Sequence, residues 1–228
     1  MKTLVVIPAY NEALNIEKTV HDLEVNAPEV DYVVVNDGSK DNTLEVLKKN
    51  DFNYIDGFCN LGLFGAVQTG FKLAIKENYD IVIQFDGDGQ HSAKYIAPLV
   101  KEIEKGNNIV IGSRFVDEKK PFTARMIGSR LIAGAIKLVT GKTITDPTSG
   151  FRAYDRDCIL DYANEMNNPP EPDTLVYMLR KQRKIKEIQV QMSDREFGES
   201  YLNLVNTIKY MSRMMVSIFL IQPFRKVK

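Results

Sequence analysis

Short runs of β-branched residues alternate with amphipathic segments through the first half of the chain, and this alternation restricts the fold more than any other feature. "TLVVIP", "YVVVNDGS", "FNYIDGF", "DIVIQFD" and "NIVIGSR" read as strands. Between them, "NEALNIEKTVHDLEVNA", "NTLEVLKKN", "GAVQTGFKLAIKEN" and "AKYIAPLVKEIEKG" carry apolar residues at helical spacing. Strands separated by helices imply right-handed βαβ units, hence an α/β fold with a mostly parallel sheet and helices on both faces. The second half is less regular. "ARMIGSRLIAGAIKLVTG" reads as a helix ended by Gly141, "TDPTSGFRAYD" as a loop or edge segment, and "NNPPEPD" as a proline-rich loop before helix "TLVYMLRKQRK". "IKEIQVQM" reads as a last strand, and Leu202 to Ile221 as a final helix that becomes steadily more apolar. The 228 residues fit one main domain over residues 1–200 with an appended helix and basic tail over 201–228.

Thirty basic residues balance thirty acidic ones, so no overall field points to nucleic acid. Cys59 and Cys158 have neither metal spacing nor a disulfide framework, which fits reduced thiols. The apolar run before Pro8 is four residues, Leu4 to Ile7. That is too short for a signal-peptide core, reads as a first strand, and leads to the expectation of a cytoplasmic protein.

In open α/β sheets, ligands bind beyond the carboxyl ends of the strands. Three polar clusters fall there: "PAYNE" after the first strand, "NDGS" after the second and "DGDGQH" after a later one. Familiar phosphate and metal signatures do not apply. No G-x-G-x-x-G follows a strand, and "TGKT" lacks its earlier glycine because Ile136 stands there. A calcium loop starting at Asp86 would need glycine at His91 and glutamate at Ala97. No H-E-x-x-H or G-x-S-x-G is present. Asp86 and Asp88 leave the strand on one side if extended geometry continues through Gly87. With the Gln90 amide they form an oxygen-rich set suited to Mg²⁺ or Mn²⁺. A tight turn and a helix cap at Ser92 are the other readings.

Seven segments in order, "VVIPAYNE", "VVNDGSKDNT", "NLGLFGAVQTGFKLA", "DIVIQFDGDGQH", "IVIGSRF", "DPTSGFRAY" and "REFGES", resemble the inverting family 2 glycosyltransferases of GT-A fold. They are most similar to the dolichol-phosphate mannose synthase, or polyprenyl-phosphate, branch. The resemblance covers about Val5 to Ser200 and implies a Rossmann-like GT-A domain. It implies nucleotide binding by Pro8, Ala9, Tyr10, Glu12 and Asp37, with Asp86 shared between nucleotide diphosphate and metal. It implies metal binding by Asp86, Asp88 and Gln90, and an acceptor-phosphate role for Arg114, Arg125, Ser129, Arg130 and Arg195. Asp86, Asp88, Arg114 and Arg130 then form the catalytic set. Asp146 is placed to orient an arginine and Arg152 to serve as a further phosphate contact, with an architectural role for their loop as the alternative.

A phosphate-monoester acceptor is largely dianionic at neutral pH and needs no strong base, so arginine forks do the positioning. A sugar-hydroxyl acceptor on a growing cell-surface polysaccharide would need one, and Asp173, beside Glu171, is the candidate. Its simpler reading is a helix N-cap. A nucleotide-sugar binding module without turnover is the reading of another class. The expected partners are a nucleotide sugar, UDP-linked or GDP-mannose, and a polyprenyl phosphate at the inner membrane face.

Met214 to Ile221 is far short of the roughly 20 residues that span a bilayer. Met211, Met214, Met215, Ile218 and Leu220 form a face able to lie in a membrane interface, with Arg213, Arg225, Lys226 and Lys228 meeting anionic lipid. The same face suits the core, a homo-oligomer or a small membrane partner protein.

Overall fold

The structure, a computed structural model, describes residues 1–165, 170–193 and 204–226, with the side chains of residues 124, 125, 165, 204–206 and 208 outside the description. Seven strands form one sheet: β1 (Thr3–Ala9), β2 (Asp31–Asn36), β3 (Tyr54–Asp56), β4 (Ile81–Gln84), β5 (Ile109–Ser113), β6 (Arg152–Asp155) and β7 (Ile185–Gln189). Their spatial order is β3-β2-β1-β4-β6-β5-β7. Every pairing is parallel except those of β6, which runs antiparallel to both β4 and β5. The chain moves one way from β1 to β2 and β3, then returns to place β4 on the other side. The carboxyl ends of β1 and β4 therefore flank the switch point where open sheets take ligands.

Helices cover both faces because the central strands are apolar on both. Along β1, Leu4 and Val6 join one core cluster and Val5 and Ile7 the other, all essentially inaccessible. The first cluster packs under α3 (Gly62–Lys76), α5 (Ala124–Thr140), α6 (Arg156–Leu160), α7 (Thr174–Arg180) and α8 (Leu204–Val216). The second packs under α1 (Ile16–Asn26), α2 (Thr43–Lys49) and α4 (Ile96–Glu104).

One strand corrects the sequence reading. The "FRAYD" stretch is neither loop nor edge but the interior strand β6. Its arginine disguised it. Arg152 is 1% exposed, and its guanidinium donates to the carbonyls of Ser149, Pro170 and Pro147 at 2.8, 2.8 and 2.6 Å. Three carbonyls offset the desolvation of that cation, which ties the 147–152 loop down and takes Arg152 out of reach as a phosphate contact.

The C-terminal segment docks on the body. Helix α8 continues into a wider turn, Ser217–Ile221, with Met214 and Ile218 buried. A Cβ added to Gly128 in α5 would lie 3.1 Å from Met211 Sδ, so the two helices approach closely there. Arg213 donates to Glu171, and Arg180 donates to the carbonyls of Gln222 and Arg225. No helix among the described residues is long and apolar enough to cross a membrane.

Candidate active site

Three strand ends supply the site. Where β1 ends, Pro8 and Ala9 pair with β2, and the Asp37 amide donates to the Ala9 carbonyl at 2.9 Å. Asp37 is buried, and its Oδ1 accepts from the Leu61 amide at 2.8 Å, which fixes the start of α3 beside it. Glu12 accepts from the Asn15 amide at 2.7 Å, its own backbone N–H donates to Thr43 Oγ1 at 2.9 Å, and Tyr10 is exposed beside it. The nucleotide-side residues expected from sequence thus come together at one end of β1 and β2.

Strand β4 ends at Gln84, so extended geometry does not carry through Gly87 as the side-chain alternation assumed. The chain turns at residues 87–89, with Gly89 at φ +75°, and Asp88 Oδ1 accepts from the Gln90 amide at 3.1 Å. A turn, rather than a pleat, therefore sets Asp88. The Ser92 side chain makes no cap bond; Asp22 Oδ2 accepts from the Ala93 amide instead, at 2.7 Å.

His91 was not singled out in the sequence, yet it is the most structured residue of this loop. It is 7% exposed, stacks on Phe151 at 4.8 Å and meets the Phe85 ring edge-on. Its Nδ1 accepts from the Asp86 backbone N–H at 3.0 Å, which places the proton of the neutral ring on Nε2, 3.6 Å from Asp86 Oδ2. Burial pushes the imidazole pKa down, Asp86 and Asp88 oppose that, and Arg114 adds to it. The ring is a neutral brace on Asp86. Opposite it, Gly150 forms a cradle: a Cβ there would come within 2.7 Å of Asp86 Oδ2.

Across the cavity stands Arg114, at the end of β5. The buried Asp146 grips it through Nε–Oδ2 and Nη2–Oδ1 contacts of 2.8 and 2.9 Å, which leaves the Nη1 donors without a partner among the described residues. Asp146 and Thr145 are held in turn by Glu187, which accepts from both backbone amides and from the Thr145 hydroxyl. Asp86, Gln90, His91, Arg114 and Thr148 share one cavity of about 170 Å³. Thr148 bonds Ser129, and Ser129 accepts from Lys120 Nζ at 2.9 Å. Burial lowers the Lys120 pKa most; Arg114 and Arg130 also lower it, while Asp146 and Glu187 oppose. Lys120 was another residue not singled out in sequence, hidden in the charged run "DEKK".

Arg130 serves this cluster indirectly. It donates to the Pro121 and Lys120 carbonyls and lies over the Phe122 ring, so it holds the loop that carries Lys120. Arg195 and the side chain of Arg125 lie outside the described residues. Asp173 is not brought to the cavity. It precedes α7 without a side-chain cap bond and is 5% exposed, and its Oδ2 accepts from Ser217 and from the Gln222 amide. Neither the cap nor the general-base reading is supported by that placement.

Asp86, Asp88 and Gln90 suit a hard divalent cation by donor chemistry: two carboxylates and an amide oxygen, with one carboxylate braced by His91 and given room by Gly150. Among the described residues no cluster of three or more His, Cys, Asp or Glu could hold a metal alone. Oxygens of a bound ligand would have to complete such a set.

An undecaprenyl-phosphate mannosyltransferase of Micrococcus luteus is 29% identical over 218 residues, covering 89% of this chain and 88% of that one. A UDP-N-acetylglucosamine–dolichyl-phosphate N-acetylglucosaminyltransferase of Methanococcus voltae is 32% identical over 176 residues, covering 68% and 69%. Glucosyl-3-phosphoglycerate synthase of Mycobacterium tuberculosis, crystallised with Mn²⁺, UDP and phosphoglyceric acid, superposes with a TM-score of 0.71 at 17% identity. That superposition covers 100% of this chain and 80% of that one, and it agrees with the GT-A fold implied by the sequence. The signature described as Glycosyl transferase family 2 matches residues 4–162, which include Asp37, Asp86, Asp88, Gln90 and Arg114, and the chain belongs to that glycosyltransferase family.

Proposed function

We propose that this glycosyltransferase moves a hexose or N-acetylhexosamine from a nucleotide sugar, UDP-linked or GDP-mannose, to a polyprenyl phosphate, inverting the anomeric carbon. The observation that carries the reading is the shared cavity, with Asp86 and Gln90 on one side and Arg114, fixed by Asp146, on the other. Transfer breaks the bond between the anomeric carbon and the diphosphate and forms one to the acceptor oxygen. Asp86, Asp88 and Gln90 would hold Mg²⁺ or Mn²⁺, which when bound supplies Lewis-acid stabilisation of the leaving diphosphate. Asp37, Glu12 and the β1 end hold the nucleotide. Arg114 and Lys120 hold the acceptor phosphate against its repulsion from the donor diphosphate, and the dianion attacks without a base. The relatives of M. luteus and M. voltae are named for lipid-phosphate acceptors, which supports this acceptor class. The hydroxyl-acceptor alternative loses its base, because Asp173 is buried against Ser217 and Gln222.

Action at the inner membrane face as a peripheral protein fits the exposed side chains. In α5, Ile127, Leu131 and Leu138 face outward, as do Val216, Phe219, Leu220, Ile221 and Phe224 in the segment packed beside it.

The test is a panel of nucleotide sugars against undecaprenyl phosphate and oligosaccharide acceptors, with Mg²⁺ or Mn²⁺ present or chelated. Lipid-linked product is expected from one donor, with loss on chelation and at least a hundredfold loss in Asp88→Asn. Lys120→Gln is expected to raise KM for the lipid phosphate more than KM for the donor. Transfer only to oligosaccharides, or near-normal turnover in Asp88→Asn, would overturn the assignment.

A further inference from the structure

A second cleft, of about 540 Å³, lies away from the Asp86 cavity at the start of β5 and β7. The two sites are separated by the length of β5, roughly 16 Å for five residues. Lys142, Thr143, Gln182, Arg183, Lys184 and Asn107 supply its polar lining, over an apolar floor that includes Ile144. Among the described residues no carboxylate lines it; Glu102, Asp157 and Asp161 stand behind the lining, paired to Asn107 and Arg183. Arg183 turns Nη1 to Asp157 and Nη2 to Asp161, but its Nε–H is buried without an acceptor. That nitrogen is closed to solvent, so Arg183 braces the wall through its two aspartates. Gln182, where α7 ends, has φ +59°, a left-handed conformation that glycine or asparagine adopts more readily, yet it brings an amide to the lining. Two ammonium groups, Lys142 and Lys184, with the neutral donors of Thr143 and Gln182, in a space of metabolite size match a small anion.

The cleft is also joined mechanically to the reaction centre. Its wall at Lys142, Thr143 and Ile144 runs straight into Thr145 and Asp146. Those two residues are pinned to Glu187 of β7 at 2.6 to 2.8 Å, and Asp146 orients Arg114. Whatever clasps Lys142 to Lys184 fastens this strap to the start of the strand that carries Glu187.

We propose that the cleft binds a small phosphate monoester, and that its occupancy steadies the 142–146 strap and so the acceptor-holding pose of Arg114. The binding does not depend on the acceptor assigned above; the effect on Arg114 rests on that reading. The probe is glucose 6-phosphate, titrated calorimetrically into Arg114→Gln protein so that the reaction centre's own phosphate site is weakened. Saturable binding with a Kd below about 1 mM is expected. Adding Lys142→Gln and Lys184→Gln is expected to weaken it at least tenfold, with the circular dichroism spectrum unchanged. No saturable binding, or binding indifferent to the two lysines, would overturn the site. In the wild-type enzyme the probe is expected to lower KM for lipid phosphate at constant kcat, and the double lysine variant should lose that response. Binding without a KM response would retain the site and overturn its coupling to Arg114. Absence of all transfer to lipid phosphate would instead strike the acceptor assignment and leave the binding result standing.

Discussion

Replacing His91 with phenylalanine keeps a flat ring against Phe151 and removes both nitrogens from Asp86. The Asp86 backbone N–H then loses its acceptor, and the carboxylate loses the Nε2–H that faces it. A partner behind a metal-binding carboxylate typically matters about 10- to 100-fold in affinity. His91→Phe is therefore expected to weaken Mn²⁺ binding by about that factor, read by electron paramagnetic resonance without any turnover. His91→Asn, whose side-chain oxygen can take the place of Nδ1, should recover most of the loss. Equal Mn²⁺ affinity in the phenylalanine variant and the wild type would remove His91 from this role. The residue escaped the sequence reading for a physical reason. In "DGDGQH" the carboxylates declare themselves by type, whereas the value of the imidazole comes from Phe85 and Phe151, and Phe151 lies sixty residues away in the chain. Lys120 was hidden in the same way. A lysine in a charged run looks solvated until Ser129 and Arg114 are placed beside it.

At the scale of elements, periodicity located the strands and helices well wherever one segment's pattern was set by its own neighbours. It failed at β6, where "RAYD" has an arginine and an aspartate in four residues. The strand is interior because carbonyls of the 147–149 loop and Pro170 surround that arginine, a condition only the folded chain creates. The junction between α7 and α8 depends on another distant pair. Glu171 is largely buried, burial raises its pKa most, and Arg213 opposes that rise. A carboxyl whose folded pKa exceeds its unfolded value binds more protons in the native state, so its contribution to stability falls as pH rises through that range. Arg213→Ala removes the opposing charge and lets the Glu171 pKa climb further. The variant is expected to lose little at pH 4.5 and up to about 1 kcal/mol at pH 8, Arg213 itself being well exposed. Thermal melts of both proteins across that range check it, and a loss that is largest at the acid end would contradict the role given to Arg213.

At the scale of the whole molecule, the switch-point site was legible because three polar clusters followed three apolar runs, and a parallel sheet gathers such ends on one side. The C-terminal segment was half legible. Its apolar residues had to be covered by something, and the fold divides them. Met214 and Ile218 go into the core, while Val216, Phe219, Leu220, Ile221 and Phe224 stay outside beside the exposed stripe of α5. Truncating the chain after Tyr210 is therefore a poor test of membrane docking, since it strips Ser217 and Gln222 from the buried Asp173 and Arg213 from Glu171. Substitution on the outer stripe separates the two roles. Leu131 is 57% exposed and Leu138 is 78% exposed, so Leu131→Glu with Leu138→Glu should leave the fold intact. Each leucine inserted into a bilayer contributes about 1.5–3 kcal/mol, and a glutamate at its place adds repulsion from anionic headgroups. The pair is expected to cut co-sedimentation with anionic vesicles more than tenfold and to depress transfer to long-chain polyprenyl phosphate in those vesicles. Transfer to a short, water-soluble prenyl phosphate should be unchanged, because Arg114, Lys120 and Asp86 are untouched. Unaltered vesicle partition in the double variant would refute α5 as part of the docking face.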